Sequence, residues 1–211
     1  MAHYLRQEGM VVMIPVQLQP EPADFDAKVR QPGHDWLATR GIAFDSAPAD
    51  PSTLPNYWHR SNKQLWDAYQ GVCAYLAIYF EWVTGAASTE HFIAKSQVAG
   101  DAYEWSNYRL SALGPNRNKN KFDDVLDPIG LAPETFVINF ASGEILPNSA
   151  LSTADKRAAQ VTINRLKLDS PEHNRMRAQH FKYYLEGDWS LRFLARESPF
   201  VHSEIVRQGL V

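Results

Sequence analysis

A single cysteine, Cys73, occurs in the 211 residues. That scarcity excludes a disulfide framework and any structural zinc site built mainly on thiolates. Long apolar runs are absent too. The longest, Val72 to Phe80, stops at Glu81, far short of the roughly 20 residues that span a bilayer. The stretch Met10 to Val16 is shorter still and holds Pro15. No signal peptide is read, so no membrane partner is expected and the expected location is cytoplasmic. Strong charge of either sign is missing: the net charge is -3, which excludes a generally basic nucleic-acid coat. No internal repeat and no low-complexity tract occurs.

What is present points to a packed chain. Hydrophobic residues make up 45% and aromatics 12%, too much apolar surface for disorder. The length suits one medium domain, or one domain with decoration. Charge is unevenly spread. Residues 1–104 carry 7 Lys and Arg against 12 Asp and Glu, and residues 105–211 carry 14 against 12. A polyanion should therefore meet the second half.

Seven of the 13 prolines lie between positions 15 and 55. Such density prevents long helices and favours extended and turn structure. Residues 1–60 are accordingly expected to form an irregular arm packed on the core. A short helix is expected over His34 to Arg40, and a surface loop over Gly41 to Tyr57. Ser61 with Gln64 forms a candidate capping box for the next helix, which Gly71 ends. The aromatic and β-branched run Cys73 to Val83 reads partly as strand, forming a hairpin through Thr84-Gly85 with Ser88 to Ile93. Asp101 to Trp105 suits a helical turn, Asn107 to Leu110 a short strand and Asn116 to Leu126 a helix. A second hairpin is expected over Thr135 to Leu146. The last third reads as helices: Ala154 to Leu166 capped by Ser152 or Thr153, Pro171 to about Glu186 stopped by Gly187, and Val201 to Gln208.

Chemistry concentrates in three segments: Thr89 to Ser96, Trp105 to Leu110 and Asn116 to Lys121. His91 is a proton acceptor suited to neutral pH. Glu90 is a hard oxygen ligand for a divalent cation. Asn107 could fix the imidazole by a hydrogen bond. Asn116 and Asn120 lie at i and i+4 on one helix face, and an Asn oxygen suits Mg²⁺ or Mn²⁺. Lys95, Arg109, Arg117, Lys119 and Lys121 supply positive charge for phosphates. Adjacent strand residues face opposite ways, so Glu90 and His91 serve one site only if the strand ends or bends there. Singly these signals are commonplace; their order and spacing give them weight.

The segments Cys73-Ala-Tyr75, Thr89-Glu-His-Phe-Ile-Ala-Lys-Ser96, Tyr103 to Ala112 and Asn116 to Lys121, with weaker echoes in Val29 to Leu37, Asp127 to Gly130 and Thr162 to Asp169, resemble the HNH endonuclease family. They resemble in particular the small HNH proteins of bacterial anti-phage systems, the Septu type and related retron effectors. The resemblance implies an α+β fold: a ββα-metal core over residues 61–127, behind the arm, with a hairpin and helical extension over 128–211. It implies His91 as general base, Asn107 orienting it, and Glu90 with Asn116 (or Asn120 one turn on) holding one Mg²⁺ or Mn²⁺. Lys95, Arg109, Arg117, Lys119 and Lys121 would meet DNA. A partner ATPase also follows as an expected partner. Separately, the mixed charged and apolar faces of the helices from Pro171 to Glu186 and Val201 to Gln208 suit either a homo-oligomer or partner surface or ordinary core packing.

Many relatives carry two Cys-x-x-Cys pairs around a structural zinc. Here they read Cys73-Ala-Tyr-Leu76 and Ala112-Leu-Gly-Pro115, so no structural zinc is expected and Cys73 should be a buried, inert thiol. Relatives also often have Pro where Ala94 stands. The expected activity is metal-dependent hydrolysis of DNA phosphodiester bonds. The alternatives are a catalytically inactive HNH-fold interaction subunit, which the lost zinc pairs and acidic first half suit, and a small-molecule or metal-binding protein sharing these residues.

Overall fold

The computed structural model describes residues 16–211. Residues 1–15, with the start of the expected arm, lie outside the described residues. The architecture is mixed α+β, with two separate two-stranded antiparallel sheets. No helix among the described residues is long and apolar enough to cross a membrane.

The chain enters at Val16, bridged to Ile129, and remains irregular to a π-helical turn, Asp26–Arg30, that runs into α1, Gln31–Thr39. The helix starts before the expected His34 because Pro32 sits within its first turn, where a missing N–H costs nothing. Gly33 is needed for close approach: a Cβ there would lie 2.2 Å from the Tyr103 ring. Phe25, Val29, Leu37, Leu54 and Trp58 are buried in one cluster with Tyr103, Trp105 and Tyr108.

A 3₁₀ turn, Tyr57–Ser61, leads into α2, Asn62–Ala68. The expected capping box does not form. Ser61 stands at ψ 2°, not in the extended region a cap needs. Its hydroxyl donates back to Trp58 O at 2.9 Å, and Gln64 reaches Asp24 instead. The run from Cys73 is likewise not a strand. It is a knuckle closed by one bridge, Val72 to Tyr79, with Ala77 at φ 50°. The Cys73 sulfur accepts the N–H of Leu76 at 3.5 Å and of Ala112 at 3.3 Å. One thiol thus gathers the amides of two separate segments. Burial pushes the thiol pKa up.

The run that should have paired with this knuckle pairs elsewhere. β1, Ala87–His91, lies antiparallel to β2, Tyr108–Ala112, with Glu90 opposite Arg109 and His91 opposite Tyr108. β2 passes directly into α3, Leu113–Lys119, which packs on both strands. The helix begins earlier than expected because Pro115 fits its first turn. It ends earlier because Asn120 turns out at φ 48°.

The remaining chain forms the second cluster, around Phe136, Ile163, Leu166 and Leu194. The hairpin of β3, Phe136–Asn139, and β4, Glu144–Pro147, falls where expected. So do α4, Thr153–Leu166, capped by Ser152, and α5, Pro171–Leu185, capped by Ser170. Helix α6, Leu191–Glu197, was not anticipated; α7, Pro199–Arg207, starts two residues before the expected Val201.

Candidate active site in the cleft beside β1 and α3

β1, the start of α3 and the Tyr57–Ser61 turn enclose a cleft of about 760 Å³. His91 lines it as the last residue of β1. Its Nε2 stands 3.1 Å from the carbonyl oxygen of Ala102. A carbonyl only accepts, so Nε2 carries the hydrogen and Nδ1 the lone pair. Nδ1 takes no partner among the described residues and is not a buried unpaired atom, which leaves it open to the cleft. Two edge-on rings fix the imidazole plane: Trp58 with centroids at 4.8 Å and Tyr108 at 5.3 Å. The Tyr108 hydroxyl donates to the same Ala102 carbonyl at 2.8 Å. Burial pulls the His91 pKa down to about 4; the Ala102 bond opposes this and the Lys95 charge adds to it. The ring is therefore neutral at pH 7.

Asn107 does not touch the imidazole, contrary to expectation. Its Oδ1 accepts the Ile93 N–H at 2.7 Å, and its Nδ2 donates to Ile93 O at 2.9 Å and Asp101 O at 2.8 Å. It thus clamps both ends of the loop between β1 and β2. Through that loop it sets where Ala102 presents its carbonyl.

Glu90 and His91 do not converge, because the strand stays regular up to His91 and the two side chains leave by opposite faces. The Glu90 carboxylate is buried under α3. Its Oε1 meets Lys119 Nζ at 2.7 Å and its Oε2 accepts from Tyr75 at 2.6 Å. Lys119, also fully buried, donates further to His91 O at 3.0 Å and Phe92 O at 2.8 Å. Burial raises the Glu90 pKa, while Lys119 and Tyr75 work against it.

Two expected phosphate contacts are therefore corrected. Lys119 is 0% exposed and saturated by three acceptors. Arg109 is 4% exposed, forked onto Asp127 at 2.7 and 2.6 Å and tied to Ser106 O. Neither reaches the cleft. Both sit on the hairpin and helix that form its floor, where a buried charge must find a partner. Lys95, Arg117 and Lys121 do line the cleft. Lys95 places Nζ 4.5 Å above the Trp58 ring, and burial lowers its pKa.

Asn116 lines the cleft and donates to Ser88 Oγ at 3.0 Å, leaving its own Oδ1 without a hydrogen bond among the described residues. Asn120 lines it from the turn beyond α3. Whether these residues suit a divalent cation turns on Glu90, the only carboxylate among the residues lining the cleft. Both its oxygens are engaged, one by an ammonium. Mg²⁺ binds through at least one free carboxylate, and two amide oxygens do not replace it. In this arrangement the expected set of Glu90 and Asn116 does not fit a divalent cation. No group of three or more His, Cys, Asp or Glu that could hold a metal occurs among the described residues.

The sequence did not single out Trp58, His59 or Asn62, which form the opposite wall. Asn62 accepts from Thr89 of β1 at 2.6 Å. The aromatic–basic triplet Trp58-His59-Arg60 was the available signal, hidden by its place at the end of a proline-rich loop. Neither a protein-family model nor a curated protein matches this chain.

Proposed function

We propose that the cleft hydrolyses DNA phosphodiester bonds, with His91 as general base. One observation carries this: a neutral imidazole whose Nδ1 is open to a cleft in which every unpaired charge is positive. The order β1, β2, α3 and the HNH-like segments on it support the same reading. So does the place of Lys95, Arg117 and Lys121 around the base, since cations both gather phosphate and stabilise its transition state.

The chemistry follows. A phosphate held by these cations sets its phosphorus against a water at His91 Nδ1. The imidazole takes the water's proton, the oxygen attacks phosphorus in line, and the bond to the 3′ oxygen breaks. The Ala102 carbonyl holds the other ring nitrogen and stabilises the imidazolium that forms. Asn107 is a positioning residue acting through the loop. The phosphate anion itself raises the depressed His91 pKa, making the base stronger when substrate is present. The resemblance to anti-phage proteins extends the proposal to a cytoplasmic defence effector that works with a partner ATPase.

A second reading, an interaction subunit without catalysis, is favoured by the sequestration of Glu90 under Lys119. Nicking of supercoiled plasmid by the purified protein separates the two. Nicking that disappears in His91→Ala supports the nuclease. No nicking, with EDTA or with added Mg²⁺ or Mn²⁺, supports the interaction subunit.

A further inference from the structure

We infer that His59 is a second catalytic residue, the general acid that protonates the leaving 3′ oxygen; this rests on the nuclease reading above. Hydrolysis of a phosphodiester needs two proton transfers. One removes a proton from water, and the other supplies the departing alkoxide, which is too basic to leave unaided. His91 serves the first. The cleft has no free carboxylate to anchor a cation at the second, because Glu90 is held by Lys119 and Tyr75.

His59 is placed for it. Its ring packs edge-on against Trp58 at 5.7 Å, while His91 packs edge-on against the same indole at 4.8 Å. Both imidazoles line the one cleft. An in-line displacement puts the entering and leaving oxygens on opposite sides of phosphorus. Base and acid must then both reach one phosphate, and two imidazoles that line one cleft against a shared indole can do so. His59 is exposed, and its ring makes no hydrogen bond or ion pair among the described residues. Neither packing nor a structural hydrogen bond accounts for it, apart from the Trp58 contact. Of the other groups there, Arg117 cannot release its proton, and Lys95 is spent on charge, 4.5 Å above Trp58.

The step balances. Water gives one proton to His91 Nδ1 and its oxygen to phosphorus. The phosphorus–O3′ bond breaks, and its electron pair takes a proton from the His59 imidazolium. The products are a 5′-phosphate and a 3′-hydroxyl. Transfer of the proton from His91 to solvent, and its return to His59, resets the pair.

The test compares an ordinary oligonucleotide with one carrying sulfur in place of the bridging 3′ oxygen at a single linkage. A thiolate leaves without a proton. His59→Ala should lose about 10²–10⁴-fold on the ordinary linkage and cut the sulfur linkage at close to the wild-type rate. His91→Ala should lose both, and Lys95→Met should slow both equally, as a phosphate-binding group does. An equal loss on both linkages for His59→Ala, or no loss on either, overturns the general acid while leaving the nuclease intact. Failure of the wild-type protein to cut either linkage overturns the nuclease reading and the general acid with it.

Discussion

Substituting Lys119 by Met interrogates the feature that most separates this site from the expected one. The Lys119 ammonium is fully buried, 2.7 Å from Glu90, with two backbone carbonyls completing its three donors. Removing it leaves a buried carboxylate whose remaining partner is Tyr75. Breaking a buried pair from one side costs about 3–5 kcal/mol. Glu90→Gln alone strands the ammonium and should cost a similar amount. The double variant has no stranded charge. It loses chiefly the bonds to His91 O and Phe92 O, about 1 kcal/mol each. The singles therefore sum to far more than the double, and urea unfolding of all four proteins should return a coupling of several kcal/mol. A cost below about 1 kcal/mol for Lys119→Met, or a coupling near zero, would refute the argument that Lys119 neutralises a buried Glu90 carboxylate.

The His91 pKa gives a pH prediction. The folded value near 4 lies below the ordinary 6.5, so the unfolded chain binds the extra proton between them. Stability is then complete above about pH 6.5 and falls as pH drops toward 4, by about 3 kcal/mol in all. Unfolding curves across that range should show the loss, and His91→Phe should remove it; an unchanged slope in the variant contradicts the placement. Duplex DNA binding should weaken with salt, and Lys95→Ala, Arg117→Ala and Lys121→Ala should each reduce the slope by about 0.9. Arg165→Ala, whose charge is paired with Asp124, should leave the slope alone. Equal slopes in all four would mean that the phosphate path runs elsewhere.

Local signals made the last third legible. Ser152 and Ser170 cap their helices, Pro171 opens one, and Ser142-Gly143 turns the hairpin between runs of alternating character. In the middle, long-range pairing overrode local preference. The β-prone run after Cys73 became a knuckle because its amides are satisfied by its own sulfur and by β2, through Ala74 N–H to Leu110 O at 2.8 Å. Its expected partner, β1, was then free to pair with a strand 16 residues further on. The site was half legible. His91, Lys95, Asn116, Arg117, Asn120 and Lys121 meet at one cleft, as their segments suggested. The basic run Asn116 to Lys121 could not reveal that helical spacing sends Lys119 inward to Glu90 while its neighbours face out. Nor could the spacing of Asn107 show that it binds the loop backbone rather than the ring. His59 was invisible because only the tertiary fold brings it to the same indole as His91.

The most direct measurement is the single-turnover rate at which the protein cuts a labelled DNA duplex, set beside the rate of His91→Ala. The variant should remain folded and bind the duplex, and its rate should fall by about 10²–10⁴-fold. DNA cut equally fast by both proteins would remove His91 from the chemistry and contradict the account at its centre.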